Sequence, residues 1–412
     1  MNVNLTRVAT EPFRLFFPLG ILGSVIGVLM WPAFFHGWIG FYPLEAHARM
    51  MVLGFGGCFI TGFLGTAGPR LLGNRPWSVP EFFVLVALAL SSMVFLALNK
   101  IAFADRLAGA WMLCVLGFLM ARVFRGRNDI PPPGLPLAAL GLAGGGISAI
   151  LLSFPAVLGT GVEIFTFLRL LLFQGLLWLP ILGVAPYLLP RFFGRKSPHS
   201  FEDSGTIPPG WMRPFVESSA AGLLLLGSFA LEAWGHGRAG MILRIVVVVA
   251  HLARSVPGLV SFSKVNALGL ALRWVLPCSA LGWLLGAVFP YLRVGTLHMM
   301  FIGGAGLLMV SVATRVFLGH NERHDLLASP MRWFHFVWGL TLFTAATRLT
   351  SEFVMKVRIT HFTYAAILWV VILAFWWWKL HRDLRKPVFE EGIIKTNCPR
   401  RLKAAARERA VK

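Results

Sequence analysis

The chain has 412 residues, 57% hydrophobic and only 13% charged, and apolar runs of about 20 residues recur along it, as in membrane-spanning helices. That excludes a soluble globular domain and makes this an integral membrane protein. The net charge of +21 does not imply nucleic acid: eleven of the 38 Lys/Arg lie from Lys379 to Lys412, after the last apolar run, where a basic tail holds anionic lipid at a cytoplasmic surface.

Taken in chain order, the apolar runs predict an all-α polytopic bundle of twelve spans, near 13–35, 44–66, 81–98, 104–123, 135–158, 163–188, 217–234, 239–256, 266–288, 296–318, 329–347 and 360–380. These form one transmembrane domain over 1–380, followed by a basic tail over 381–412. The first run is too long for a signal-peptide core and lacks a small-residue cleavage site, so it is expected to remain a helix. Trp31-Pro32, Gly68-Pro69, Pro131 to Pro133, Pro208-Pro209 and Pro290 mark the joints. The polar, Pro-rich loop 189–214 divides the spans into two groups of six. Cys58, Cys114, Cys278 and Cys398 show no C-x-x-C spacing and read as free thiols.

Lys and Arg are distributed unevenly between alternate loops. The N-terminus, even-numbered loops and tail hold 27, against 7 in the odd-numbered loops, so both termini are expected on the cytoplasmic side. Arg49, Arg169, Arg244 and Arg273 fall within spans, where each must face protein, water or an anion. Arg49 lies close enough to a span end to snorkel.

Two stretches share a design. Residues 44–73, LEAHARMMVLGFGGCFITGFLGTAGPRLLG, open with His47 and continue into Gly54, Gly56 and Gly57. Helical spacing puts His47, Met50/Met51, Gly54, Cys58 and Thr61 on one face. Residues 296–323, TLHMMFIGGAGLLMVSVATRVFLGHNER, open with His298 and continue into Gly303, Gly304 and Gly306. An imidazole followed by a glycine hollow suits a flat ligand held by its iron, and two neutral imidazoles would give a low-spin, six-coordinate iron suited to electron transfer. The charge count makes both spans run outside to inside, which places His47 and His298 at one depth. Arg293, Arg348, Lys356 and Arg358 lie in outer loops as candidate partners for haem propionates, since guanidinium forks match carboxylates.

Of the other histidines, His36, His236, His199, His381 and His324 are expected at surfaces. His251 and His335, in or near the membrane, are candidates for a second metal, copper or a second haem, and His361 at the outer surface is an alternative outer ligand for it. In this span map Glu45, Glu163, Glu217 and Glu232 lie near span ends and no carboxylate sits at mid-membrane, which counts against a proton-coupled carrier. No phosphate loop, nucleophile elbow or H-E-x-x-H motif is present.

With these residues in view the chain resembles the NnrS family of haem- and copper-containing bacterial membrane proteins. The resemblance covers most of the length: EPFRLFFPLG at 11–20, the stretch from His47, and above all TRVFLGHNER at 314–323, which looks like the family's TR-x-x-LGH-x-x-R signature. It assigns Thr314, Arg315, Gly319, His320 and Arg323 to that signature. It implies twelve spans in the bacterial inner membrane and a role in nitric oxide metabolism and resistance to nitrosative stress; an electron-transferring haem would take its electrons from a separate donor. More distantly, the chain is similar to the catalytic subunit of haem–copper oxidases and nitric oxide reductases, in which second-span and tenth-span histidines share a low-spin haem; His47 and His298 match those positions. The reductive site is not matched. Thr296 stands where a high-spin haem ligand is expected, Gln174 stands near a copper position, no His-His pair occurs, and the ninth span reads VLPCSALGW without the L-H-x-x-Y element. A divergent reductase using His251, His335 or His361, and a cofactor-free carrier, stay open as alternatives.

Overall fold

The computed structural model describes residues 5–159, 161–201 and 205–385. Among them, helices of 18 or more residues follow one another: α1 (Phe13–Phe35), α2 (Leu44–Leu71), α3 (Val79–Ala97), α4 (Ile101–Phe124), α5 (Leu135–Leu152), α6 (Val162–Phe193), α7 (Met212–Ala233), α8 (Gly237–Ser255), α9 (Ala267–Val288), α10 (Pro290–His320), α11 (Phe334–Phe353) and α12 (Met355–Asp383). Ten of these are long and apolar enough to cross a membrane. The exceptions are α8, which carries Arg238, Arg244 and Arg254, and α11, which carries Arg348 and Glu352. No strand occurs among the described residues. Most of the expected tail, residues 386–412 with Cys398, lies outside them, and the last helix runs on to Arg385.

Local signals account for several boundaries. Ser78 and Glu81 form a capping box at the start of α3, with Pro80 in its first turn. Asn266 caps α9 by accepting from the Gly269 amide at 3.1 Å. Pro32 and Pro69, expected at joints, lie inside helices. In a membrane bundle neighbouring helices and local changes of pitch absorb the lost backbone hydrogen bond.

Consecutive helices pack side by side, and α12 packs against α1, which closes the circuit. Small residues set the tightest crossings: a Cβ on Gly109 of α4 would lie 2.6 Å from the Gly146 carbonyl of α5. Three helices are enclosed by the others. Of their most apolar stretches, 83% of α2, 78% of α10 and 72% of α6 are buried, against 56% or less in the other seven helices long and apolar enough to cross a membrane.

The same three helices contain π-helical turns, at Met50–Gly57, Met299–Gly306 and Leu171–Gly175. An i→i+5 turn shifts every later side chain relative to an α register. The face predicted from α spacing through Gly54, Cys58 and Thr61 is therefore broken at Met50. Each long π segment begins within three residues of His47 or His298 and spans the glycine run that follows it.

Candidate functional site

His47 and His298 meet at one end of the bundle. Their ring centroids are 6.4 Å apart and their planes differ by 14°. His47 Nδ1 lies 2.8 Å from the Gly27 carbonyl of α1, and His298 Nδ1 lies 2.7 Å from the Val294 carbonyl one turn earlier. A carbonyl only accepts, so each Nδ1 carries the proton and each Nε2 keeps its lone pair. Two imidazoles bound on opposite sides of one metal need roughly 2 Å per metal–nitrogen bond and roughly 1 Å more to each ring centre, about 6 Å in all. The pair has the tautomer and the centroid spacing that two imidazoles sharing one metal ion would need.

An aromatic wall stands beside it. Trp31 meets His47 edge-on at 6.0 Å and also meets Tyr42 and Phe362. Phe301 flanks His298 at 6.5 Å. Arg348 lies over Phe362, 3.9 Å from its centroid, so one strip of contacts links this arginine to His47.

The predicted glycine hollow is filled. A Cβ on Gly54 would meet Met50 Sδ at 2.9 Å, one on Gly303 would meet Cys278 Sγ at 2.9 Å, and one on Gly306 would meet Trp369 at 3.2 Å. These glycines are helix-contact positions, a use of small residues common in membrane bundles.

Three of the four candidate propionate partners already hold carboxylates. Arg293 pairs with Glu232, which also pairs with Arg244 at 2.8 Å. Arg348 and Arg358 share Glu352 at 2.7 and 2.9 Å. Lys356 is exposed on a short turn. Arg244 is fully buried and also donates to Gln174 Oε1 at 2.9 Å, which accepts from Trp283 as well. Gln174 thus anchors the α6 π turn.

His251, His335 and His361 are not brought together. His251 Nε2 faces the Leu182 carbonyl, His335 Nδ1 accepts from Trp338, and His361 Nδ1 contacts Thr350. No group of three His, Cys, Asp or Glu side chains gathers as a metal site among the described residues. His199, expected at the surface, is only 4% exposed, and burial pushes its pKa down to about 4. Cys58, Cys114 and Cys278 are free thiols.

The signature residues form a clasp at the opposite end. His320 Nδ1 lies 2.9 Å from Glu11 Oε1, and its ring packs on Phe13 at 4.9 Å. Arg14 binds Glu11 and Asn321, and Arg70 binds Glu11. Burial alone would raise the Glu11 pKa, but hydrogen bonds from His320 and Arg14 hold it at about 2. Arg323 forks onto Asp325 and donates to the Asp383 carbonyl of α12. Thr314 accepts from Trp376 at 2.7 Å, and Arg315 lies over Phe192 at 4.8 Å. At Gly319 an added Cβ would meet only open space. The signature therefore ties α1, α2 and α12 to the end of α10.

Two residues escaped sequence reasoning. Asp105 is fully buried and accepts from Arg49 Nε through both oxygens at 2.8 Å; Arg49 also pairs with Glu45, which binds Arg169 at 2.9 Å. Arg49 is therefore an interior ion-pair member and does not snorkel. Gln174, which in the sequence stands only near an expected copper position, is a buried polar anchor accepting from Arg244 and Trp283. An apolar crevice of about 80 Å³, lined by Phe59, Leu64, Leu177, Val184, Met309 and Val312 among others, opens between α2, α6 and α10; neither histidine lines it.

No curated protein matches the chain. The family described as NnrS protein matches residues 7–387, from before α1 to beyond α12. The chain therefore belongs to the NnrS family.

Proposed function

We propose that this NnrS-family protein is a twelve-span inner-membrane protein with both termini cytoplasmic, binding a low-spin haem b through His47 and His298 and serving nitric oxide metabolism and nitrosative-stress resistance. The observation that carries the haem reading is the facing pair itself: parallel rings 6.4 Å apart, each with Nδ1 held by a backbone carbonyl. The Lys/Arg asymmetry supports an orientation with this end at the periplasmic face and the signature clasp at the cytoplasmic face. α8 and α11 complete the twelve, their buried arginines Arg244 and Arg348 turned to protein partners.

Bound there, haem would supply one-electron exchange. The chain's own residues do the rest. Gly27 and Val294 orient the imidazoles, Trp31 and Phe301 cover them, and the enclosed positions of α2 and α10 keep both helices in register. Family membership supports the nitric oxide role, and the haem pair is the feature suited to it. Basic residues at the clasp end fit anionic lipid. The test is haem and metal analysis of protein purified from haem-replete cells. Low-spin haem b near one equivalent is expected, and a colourless preparation without iron would overturn the reading.

A further inference from the structure

The two Arg–Glu–Arg groups beside α10 hold more positive charge than the protein answers. Glu232 is shared by Arg244 and Arg293, and Glu352 by Arg348 and Arg358. Guanidinium stays protonated in proteins, so each group has two positive charges and one negative. No other carboxylate pairs with any of the four arginines among the described residues. Glu232, Arg244, Glu352 and Arg348 are buried.

The groups adjoin. Arg293 opens the turn that contains Gly295, and a Cβ on Gly295 would run into the Glu352 side chain. His298 ends that same turn.

A third network supplies the contrast. Arg49 and Arg169 face Glu45 and Asp105, two charges of each sign, and the balance closes. Surplus charge inside a membrane protein is costly unless an anion answers it. Each unbalanced group also offers one partly open guanidinium: the Arg293 side chain is 32% exposed and that of Arg358 is 42% exposed.

We propose that the two Arg–Glu–Arg groups flanking the first turn of α10 form an anion site that takes two carboxylate or oxyanion charges, one per group, beside the histidine pair. A paired-oxygen anion matches the guanidinium fork. Two sources have this chemistry: the carboxylates of a haem held by His47 and His298, or free oxyanions of the nitrite type. The first rests on the haem reading; the site itself does not.

Full-length purified protein tests this in two arms. In one, haem and haem dimethyl ester are compared by the low-spin absorption band. In the other, sodium nitrite is titrated calorimetrically into haem-free and haem-loaded protein. Esterification weakening haem binding roughly tenfold or more identifies the cofactor carboxylates. Saturable nitrite uptake by haem-loaded protein identifies free oxyanions. In the arm that responds, Arg293→Gln and Arg358→Gln remove the effect, Arg293→Lys and Arg358→Lys keep most of it, and Arg169→Gln in the balanced network leaves it intact. The proposal is overturned if ester and free acid bind equally and no saturable nitrite uptake occurs, a result that needs no variant to fold. A missing low-spin band alongside intact nitrite uptake would defeat the haem reading and leave the anion site standing.

Discussion

His47 and His298 present near-parallel imidazoles to each other, 6.4 Å between centroids, each tethered through Nδ1 to a backbone carbonyl. The tethers come from different sources, α1 for His47 and the preceding turn of α10 for His298. Second-site carbonyls of this kind fix both the tautomer and the ring rotation of a metal-ligating histidine. Both rings then lead into eight-residue π segments that redirect the glycine runs into close packing.

The signature clasp is structural and should separate from the histidine end. Glu11 joins His320, Arg14 and Arg70, and Glu11→Gln removes the charge that all three engage. The expected cost is about 1–3 kcal/mol of stability, the scale for losing a charged hydrogen-bond partner in a half-buried site. Thermal unfolding in detergent should show a lower midpoint, with any haem spectrum unchanged. A shifted spectrum at unchanged stability would contradict this division of roles.

Asp105 makes a sharper case because its pair is buried. Asp105→Asn leaves Arg49 without its main counter-charge, and breaking one side of a buried pair costs about 3–5 kcal/mol. Replacing both partners, as Arg49→Met with Asp105→Leu, should recover most of that loss. Chemical unfolding of the single and double variants measures the difference; a single variant as stable as wild type would show that the pair is not the interior constraint described.

His199 gives a pH dependence with a definite sign. Burial holds its pKa near 4, against an ordinary value of 6.5. The folded state therefore binds fewer protons than the unfolded state between those values. The stability that neutral His199 contributes is complete above pH 6.5 and is lost as pH falls through 4, with an upper limit of about 3 kcal/mol. His199→Gln should flatten the loss of melting temperature between pH 6.5 and 4. Equal slopes for variant and wild type would refute it.

How much of this was readable in the sequence depends on the kind of signal. His47 and His298 stood out because each heads an apolar run rich in glycine, and the Lys/Arg asymmetry put them at one depth. The glycines themselves misled: Gly54, Gly303 and Gly306 look the same whether they face a ligand or packed side chains, and the structure puts Met50 of the same helix and Met93 of α3 against Gly54, Cys278 against Gly303 and Trp369 against Gly306. Asp105 was missed because it lies near a span end, where a carboxylate looks ordinary, and its partner Arg49 is brought to it by the α2–α4 packing. The π turns leave no periodic trace, since a change of pitch within an all-apolar segment alters no hydrophobic pattern. The TR-x-x-LGH-x-x-R run was visible as a motif, but its work as a clasp depends on Glu11 and Asp383, near opposite ends of the described chain.

The most direct measurement is the absorption spectrum of the purified protein and of His47→Ala and His298→Ala, each checked for folding by size exclusion. Wild type should show a low-spin haem b spectrum, and each alanine variant should lose it while still eluting as a folded species. Full wild-type spectra in both variants would contradict the assignment of these imidazoles to one iron.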